Sequence, residues 1–134
     1  MLLLDTCAVI WVSQGDPISS RARTAIREAV ARGAVYVSPM SAWEIGALAV
    51  RRGVRFDPSP HEWFAAFLAR PGVRLAALGP EIALDAWFLP GQVHGDPMDR
   101  LLIATARRLS AALVTRDDRI LAYARAGHMQ AIAC

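Results

Sequence analysis

Leu2-Leu3-Leu4-Asp5-Thr6 carries the reading of the fold. Three consecutive leucines are too short for a buried helix and suit a strand covered on both faces, the pattern of a parallel sheet. Asp5 then stands at the carboxyl end of that strand. Thr6 to Ser13 reads as a short helix, so the chain opens strand–acid–helix.

The same alternation continues outward. Ser19 or Ser20 caps a helix with Ala22, Ala25, Ile26, Ala29 and Val30 at helical spacing, ended by Gly33. Val35 to Val37 is a second strand. Ser41 is the expected cap of a helix through Arg52 that stops at Gly53. Pro60 begins another helix, with Trp63, Phe64, Phe67 and Leu68 on one face, expected as core with an interface as the alternative, and Pro71-Gly72 at its close. Val73 to Leu78 is a short strand, Pro80 to Leu89 a helix, and Pro90 to Met98 a loop. Asp99 to Leu109 is a strongly apolar helix, Leu113 to Thr115 a strand, Asp117 to Ala126 a helix, and Met129 to Ala133 a last strand. This order predicts one α/β domain over residues 1–134: a three-layer arrangement with a mostly parallel central sheet of four to five strands flanked by helices. Right-handed crossovers put the strands' carboxyl ends on one edge, where ligands of such sheets bind.

Composition sets limits. A chain of 134 residues buries roughly two-thirds of its unfolded surface and needs no staple. Cys7 and Cys134 are expected as free thiols, and with His61, His94 and His128 they show no zinc-ligand spacing. No apolar run is long enough for a membrane span. The Met1–Leu4 opening meets Asp5 at once and resembles no signal peptide, so the cytoplasm is the expected location. All 15 cations are arginines and the net charge is +3. That balance fits either a composition bias or an attraction to polyanions, for which guanidinium forks suit phosphate. The missing lysine excludes every mechanism that needs one.

Of the 12 acids, most fall where solvent is expected, and four do not. Asp5 ends the first strand. Glu44 lies in a first helical turn beside an apolar face. Asp99 is followed by Leu102, Ile103 and Ala106 at inward spacing, and Asp117 follows the strand Leu113-Val114-Thr115 by two residues. Each has a bland alternative. Asp5, Asp99 (or Asp96) and Asp117 are each placed to cap a helix, and Glu44 to pair with Arg51 or Arg52. Jointly they map to one sheet edge. Converging carboxylates repel one another, and a divalent ion is the simplest compensation. An all-oxygen set favours Mg²⁺ or Mn²⁺ over Zn²⁺, and such a site suits hydrolysis of a phosphodiester.

Four segments now carry a resemblance. Met1-Leu2-Leu3-Leu4-Asp5-Thr6-Cys7-Ala8-Val9-Ile10-Trp11 resembles the opening of PIN-domain proteins, especially VapC-type toxins of type II toxin–antitoxin pairs. So do Val37-Ser38-Pro39-Met40-Ser41-Ala42-Trp43-Glu44-Ile45, His94-Gly95-Asp96-Pro97-Met98-Asp99-Arg100-Leu101-Leu102-Ile103-Ala104-Thr105-Ala106, and Leu113-Val114-Thr115-Arg116-Asp117. They occur in the family's order and cover nearly the whole chain. The resemblance implies a Mg²⁺ or Mn²⁺ site carried by Asp5, Glu44, Asp99 and Asp117, endonucleolytic cleavage of RNA, a homodimer and a small antitoxin partner. Asp5 and Asp99 would be the principal ligands, Glu44 would ligate or orient the attacking water, and Asp117 would hold a second ion or stand outside the first. Asp118 leaves open which acid faces the site. Thr6, Asp96 and Thr115 would support the carboxylates, and Arg51, Arg52, Arg100 and Arg116 are candidate phosphate contacts or solvated surface.

Two rivals are weaker. A phosphoacceptor receiver needs a lysine, and a haloacid-dehalogenase-like phosphatase needs a second Asp where Cys7 stands. A catalytically silent PIN-like interaction module remains the non-enzymatic alternative.

Overall fold

Strand and helix alternate along the computed structural model, which describes residues 1–134, and the apolar residues of each strand explain the layering. β1 (Leu2–Leu4), β2 (Val35–Val37), β3 (Val73–Leu75), β4 (Ala112–Thr115) and β5 (Ala131–Ala133) form a five-stranded sheet in the order β3-β2-β1-β4-β5. Every neighbouring pair is parallel. β1 is central, and its Leu2, Leu3 and Leu4 are all buried. Leu4 stands opposite both Val37 and Val114, so β1, β2 and β4 end level with one another.

Alternation within β1 splits the core in two. Leu2 and Leu4 join Val35, Val37, Ala112 and Val114 on one face. That face is covered by α1 (Thr6–Gln14), α2 (Ser20–Ala31), α3 (Pro39–Arg52) and α4 (Pro60–Leu68), through Val9, Ile26, Ile45 and Phe67. Leu3 and Leu113 point the other way, against Leu102, Ile103 and Ala106 of α6 (Pro97–Leu109) and Ile120 and Tyr123 of α7 (Asp118–Arg125). The short α5 (Pro80–Asp85) packs Ile82 on Ala104 of α6. Phe64 and Phe67 are buried and Trp63 packs against them, so the aromatic side of α4 is core. No helix is long and apolar enough to cross a membrane.

Several element ends differ from the sequence expectation, and each has a local cause. α3 is capped by Ser38, not Ser41: Pro39 presets φ at the first helical position, and the Ser38 hydroxyl accepts from the Met40 amide at 3.1 Å. Ser41 is left buried inside the helix. α6 likewise starts before Asp99, at Pro97, because Asp96 caps it by accepting from the Met98 and Asp99 amides. α5 stops at Asp85 rather than Leu89, and the Arg100 guanidinium takes up the free carbonyls of Ala86 and Trp87 just beyond its end. β3 and β5 are edge strands and are shorter than expected.

Candidate metal centre

All four predicted acids come to the carboxyl edge of the sheet, each delivered by a different element. Asp5 follows β1, with its amide bonded to the Val114 carbonyl at 3.1 Å. That pairing sets Asp5 beside Thr115, whose hydroxyl donates to its carboxylate. Asp5 also caps α1: its Oδ1 accepts from the Ala8 amide at 2.6 Å. Capping and facing the edge are therefore not alternatives for Asp5, because a carboxylate has two oxygens and only Oδ1 is spent on the helix. Asp117 does both as well. Its Oδ1 caps α7 through the amides of Arg119 at 2.8 Å and Ile120 at 3.1 Å, while Oδ2 turns outward. Asp118 is exposed, so Asp117 is the acid of this pair that faces the edge.

Glu44 projects from the second turn of α3, half-buried, and accepts a hydrogen bond from the Thr6 hydroxyl. Thr6 in turn lies 3.2 Å from the buried Ser41 hydroxyl. Asp99 sits in the first turn of α6 with 19% of its side chain exposed, 2.6 Å from His94 Nε2. Arg119 reaches the same Asp99 oxygen at 3.3 Å and Asp117 Oδ2 at 3.1 Å.

The electrostatics follow from this crowding. Burial pushes the Asp5 carboxyl above its ordinary range, against the pull of the Thr115 and Ala8 hydrogen bonds, and the charges of Asp99 and Asp117 push it further. Burial likewise raises Glu44, opposed by the Thr6 hydrogen bond and reinforced by Asp99, Asp5 and Asp96. Asp99 is raised by burial, opposed by its bond to His94 and reinforced by Asp96 and Asp117. Asp117 differs. Burial acts upward on it too, but the Arg119 side chain and the two backbone amides outweigh that and hold it below its ordinary value. The mutual charge effects bind Asp5, Glu44, Asp99, Asp117 and Asp96 into one electrostatic unit.

The donor chemistry suits a hard, oxygen-seeking dication: several carboxylates, with no thiol–imidazole set. The side chains as placed do not converge on one point, for no three His, Cys, Asp or Glu side chains stand at ion-holding spacing. Asp99 Oδ2 is instead held by His94 and Arg119. Cys7 and Cys134 are free thiols, and burial pushes Cys134 up to about 11, so it stays protonated.

His94 and Arg119 were not singled out from the sequence. Arg119 had a readable signal: a cation in the first turn of α7 opposes the helix dipole, and a broken local rule often marks a functional site. The arginines chosen from the sequence fare differently. Arg100 is committed to the carbonyls of Ala86, Trp87, Val93 and His94, and so braces the loop before α6. Arg116 bonds the carbonyls of Pro17 and Cys134 at 2.7 Å each and stacks on Trp11. Arg116 is exposed and keeps Nη1 outside these bonds, whereas Arg100 is half-buried among its four carbonyls. Arg51 and Arg52 are exposed in the last turn of α3, about 10 Å along the helix from Glu44.

A family model for the PIN domain matches residues 2–126, and the chain belongs to the PIN-domain family. It is similar to "Ribonuclease VapC22" of Mycobacterium tuberculosis (strain ATCC 25618 / H37Rv), with 31% identity over 120 residues, 89% of this chain and 88% of that protein. Among solved structures it resembles a chain of VapBC2 from Rickettsia felis bound to a promoter DNA fragment, with TM-score 0.66, 13% identity, and 98% of this chain and 97% of that one covered. It also resembles a chain of FitAcB from Neisseria gonorrhoeae, with TM-score 0.55, 17% identity and coverage of 98% and 96%. These last two likenesses bear on the fold.

Proposed function

We propose that this chain is a Mg²⁺- or Mn²⁺-dependent endoribonuclease, the toxin of a type II toxin–antitoxin pair, acting in the cytoplasm as a homodimer and held in check by a small antitoxin protein. One observation carries the reading. Asp5, Glu44 and Asp99 come from three separate elements to one sheet edge and are all raised by burial. A fold keeps such a cost when function requires it. The relative named as a ribonuclease supports RNA as substrate, and the toxin–antitoxin complexes among the structural relatives support the antitoxin.

In this reading Asp5 and Asp99 are the principal metal ligands, Glu44 ligates the ion or orients water, and Asp117 holds a second ion or stands outside the first. A bound Mg²⁺ or Mn²⁺ supplies Lewis-acid polarisation of the phosphodiester and eases deprotonation of water. The chain's own residues do the rest. The Thr6 hydroxyl holds one Glu44 oxygen, leaving the other to receive the proton of the attacking water. The raised Glu44 carboxyl is the better base for it. Water attacks phosphorus in line, the P–O3′ bond breaks, the departing O3′ takes a proton from solvent while Glu44 releases the one it received, and the products carry a 5′-phosphate and a 3′-hydroxyl. Thr115 fixes Asp5 and, accepting from the Asp117 amide at 3.0 Å, links it to Asp117. Asp96 positions Asp99 by capping the helix that carries it.

Purified, antitoxin-free protein incubated with total RNA tests the proposal, with Mg²⁺, Mn²⁺ or EDTA and beside Asp99→Asn. Discrete cleavage that requires metal and is lost in the variant is the expected result. Cleavage that persists in Asp99→Asn refutes the site. No cleavage, together with no Mn²⁺-induced rise in melting temperature, favours the silent interaction module.

A further inference from the structure

Beside the acidic edge lies a cleft of about 400 Å³ whose lining contains no acid. One wall is the loop before α6, with Gln92, Val93 and His94; the other is α7, with Arg119 and Ala122, and His128 closes the far end. The cleft is a built feature. Tyr123 forms its floor, buried and pinned by a 2.7 Å hydrogen bond from its hydroxyl to the Pro90 carbonyl. The His128 ring stacks on Tyr123 with centroids 4.7 Å apart. It also lies so close over Gly91 that a Cβ there would meet Nε2 at 2.5 Å.

Two lining residues are shared with the proposed metal centre. His94 and Arg119 both touch the outer oxygen of Asp99. The cleft therefore begins where the acids end, and the sign of the charge changes across Arg119.

Resting on the nuclease reading above, we propose that this cleft seats one ribonucleotide adjoining the scissile phosphate. The chemistry matches part by part. The Arg119 guanidinium, 58% exposed, spends Nη2 on Asp99 and Asp117 and keeps Nε and Nη1 as charged donors for phosphate oxygens. Val93 and Ala122 offer apolar contact for a base, and the His128 ring, held on Tyr123, lines the same cleft. The exposed Gln92 amide presents both a donor and an acceptor to a base edge. The volume lies in the range of small-ligand sites. A cleft without carboxylates is also where a polyanion leaving an acidic edge meets least repulsion.

Ala122→Trp tests this. Ala122 is exposed on α7, so the indole fills the cleft without entering the core. The readouts are kcat and KM for single-stranded RNA in Mn²⁺, and the Mn²⁺-induced shift in melting temperature. The expected result is KM raised about tenfold or more, the scale of losing one stacked base, with the Mn²⁺ shift preserved. Cleavage by Ala122→Trp at the wild-type KM overturns the subsite while leaving the metal centre standing. Should Ala122→Trp lose its Mn²⁺ response, Gln92→Ala decides: a KM raised about threefold or more supports the subsite, and an unchanged KM overturns it. Wild-type protein that cleaves no RNA overturns the nuclease reading, and the subsite with it.

Discussion

Replacing Asp5 with Asn should make the metal-free protein more stable and the metal-loaded protein less so. The substitution changes little in shape. Asn keeps an oxygen to accept from the Ala8 amide, now at 2.6 Å, and Asn caps helices about as well as Asp. Its new NH₂ group finds a partner in the Thr115 hydroxyl, which has a second lone pair beyond the one facing the Asp117 amide. What disappears is a buried negative charge among others. Relief of such functional strain is worth about 1 kcal/mol. For a chain of 134 residues that is a rise of about 4 °C in melting temperature. Metal reverses the order. At about a hundredfold excess over Kd, Mn²⁺ stabilises a binding protein by about 2.7 kcal/mol, or roughly 10 °C here. Asp5→Asn should show less than half of that shift. Thermal melts of both proteins in EDTA and across a Mn²⁺ titration measure the crossing. If Asp5→Asn melts below wild type in EDTA, Asp5 is a structural cap whose charge the fold uses, and the reasoning about strain is wrong.

Stability in EDTA should also depend on pH with a definite sign. Asp5, Glu44 and Asp99 are raised in the fold, so their cost is absent below ordinary carboxylate values and appears as pH rises through the raised ones. Asp117 is lowered, so its contribution is lost only at still lower pH and does not cancel theirs. The gap in urea midpoint between Asp5→Asn and wild type should therefore widen from about pH 3.5, below the ordinary carboxylate value, to about pH 7.5, and a constant gap refutes the assignment. Arg116→Ala should lower stability by about 1–2 kcal/mol, through its lost carbonyl bonds and its stack on Trp11, while changing KM for RNA less than about twofold. A large KM effect there would restore Arg116 as a phosphate contact. Gly72→Ala should cost about 1–3 kcal/mol, read by chemical denaturation, because φ is +81° and the new Cβ would stand 2.8 Å from Val30 Cα.

The sequence by itself determined the order of elements and marked Asp5, Glu44, Asp99 and one of Asp117 and Asp118 as candidates for the edge. Leu2-Leu3-Leu4 and Leu113-Val114-Thr115 read as strands because a parallel strand covered on both faces must be apolar throughout, and each is followed within two residues by an acid. Strand polarity and crossover handedness then bring Asp5 and Asp117 together without any coordinates. Local chemistry was legible in part. Pro39 and Pro97 mark first helical positions and so place the caps at Ser38 and Asp96, whereas periodicity alone put both starts too late. Only the tertiary structure decided which partner each polar side chain takes. Thr6 finds Glu44 across 38 residues, and Arg119 finds Asp99 across 20. Arg100 and Arg116 bond distant carbonyls, at Ala86 and Pro17 among others. Such pairings depend on distance in space, which local periodicity does not encode, and a long flexible cation meets whichever acceptor the packing leaves bare. The cleft beside Arg119 is of the same kind. It exists because the loop before α6 and the helix α7 pack on one floor, Tyr123, and no single stretch of the chain contains it.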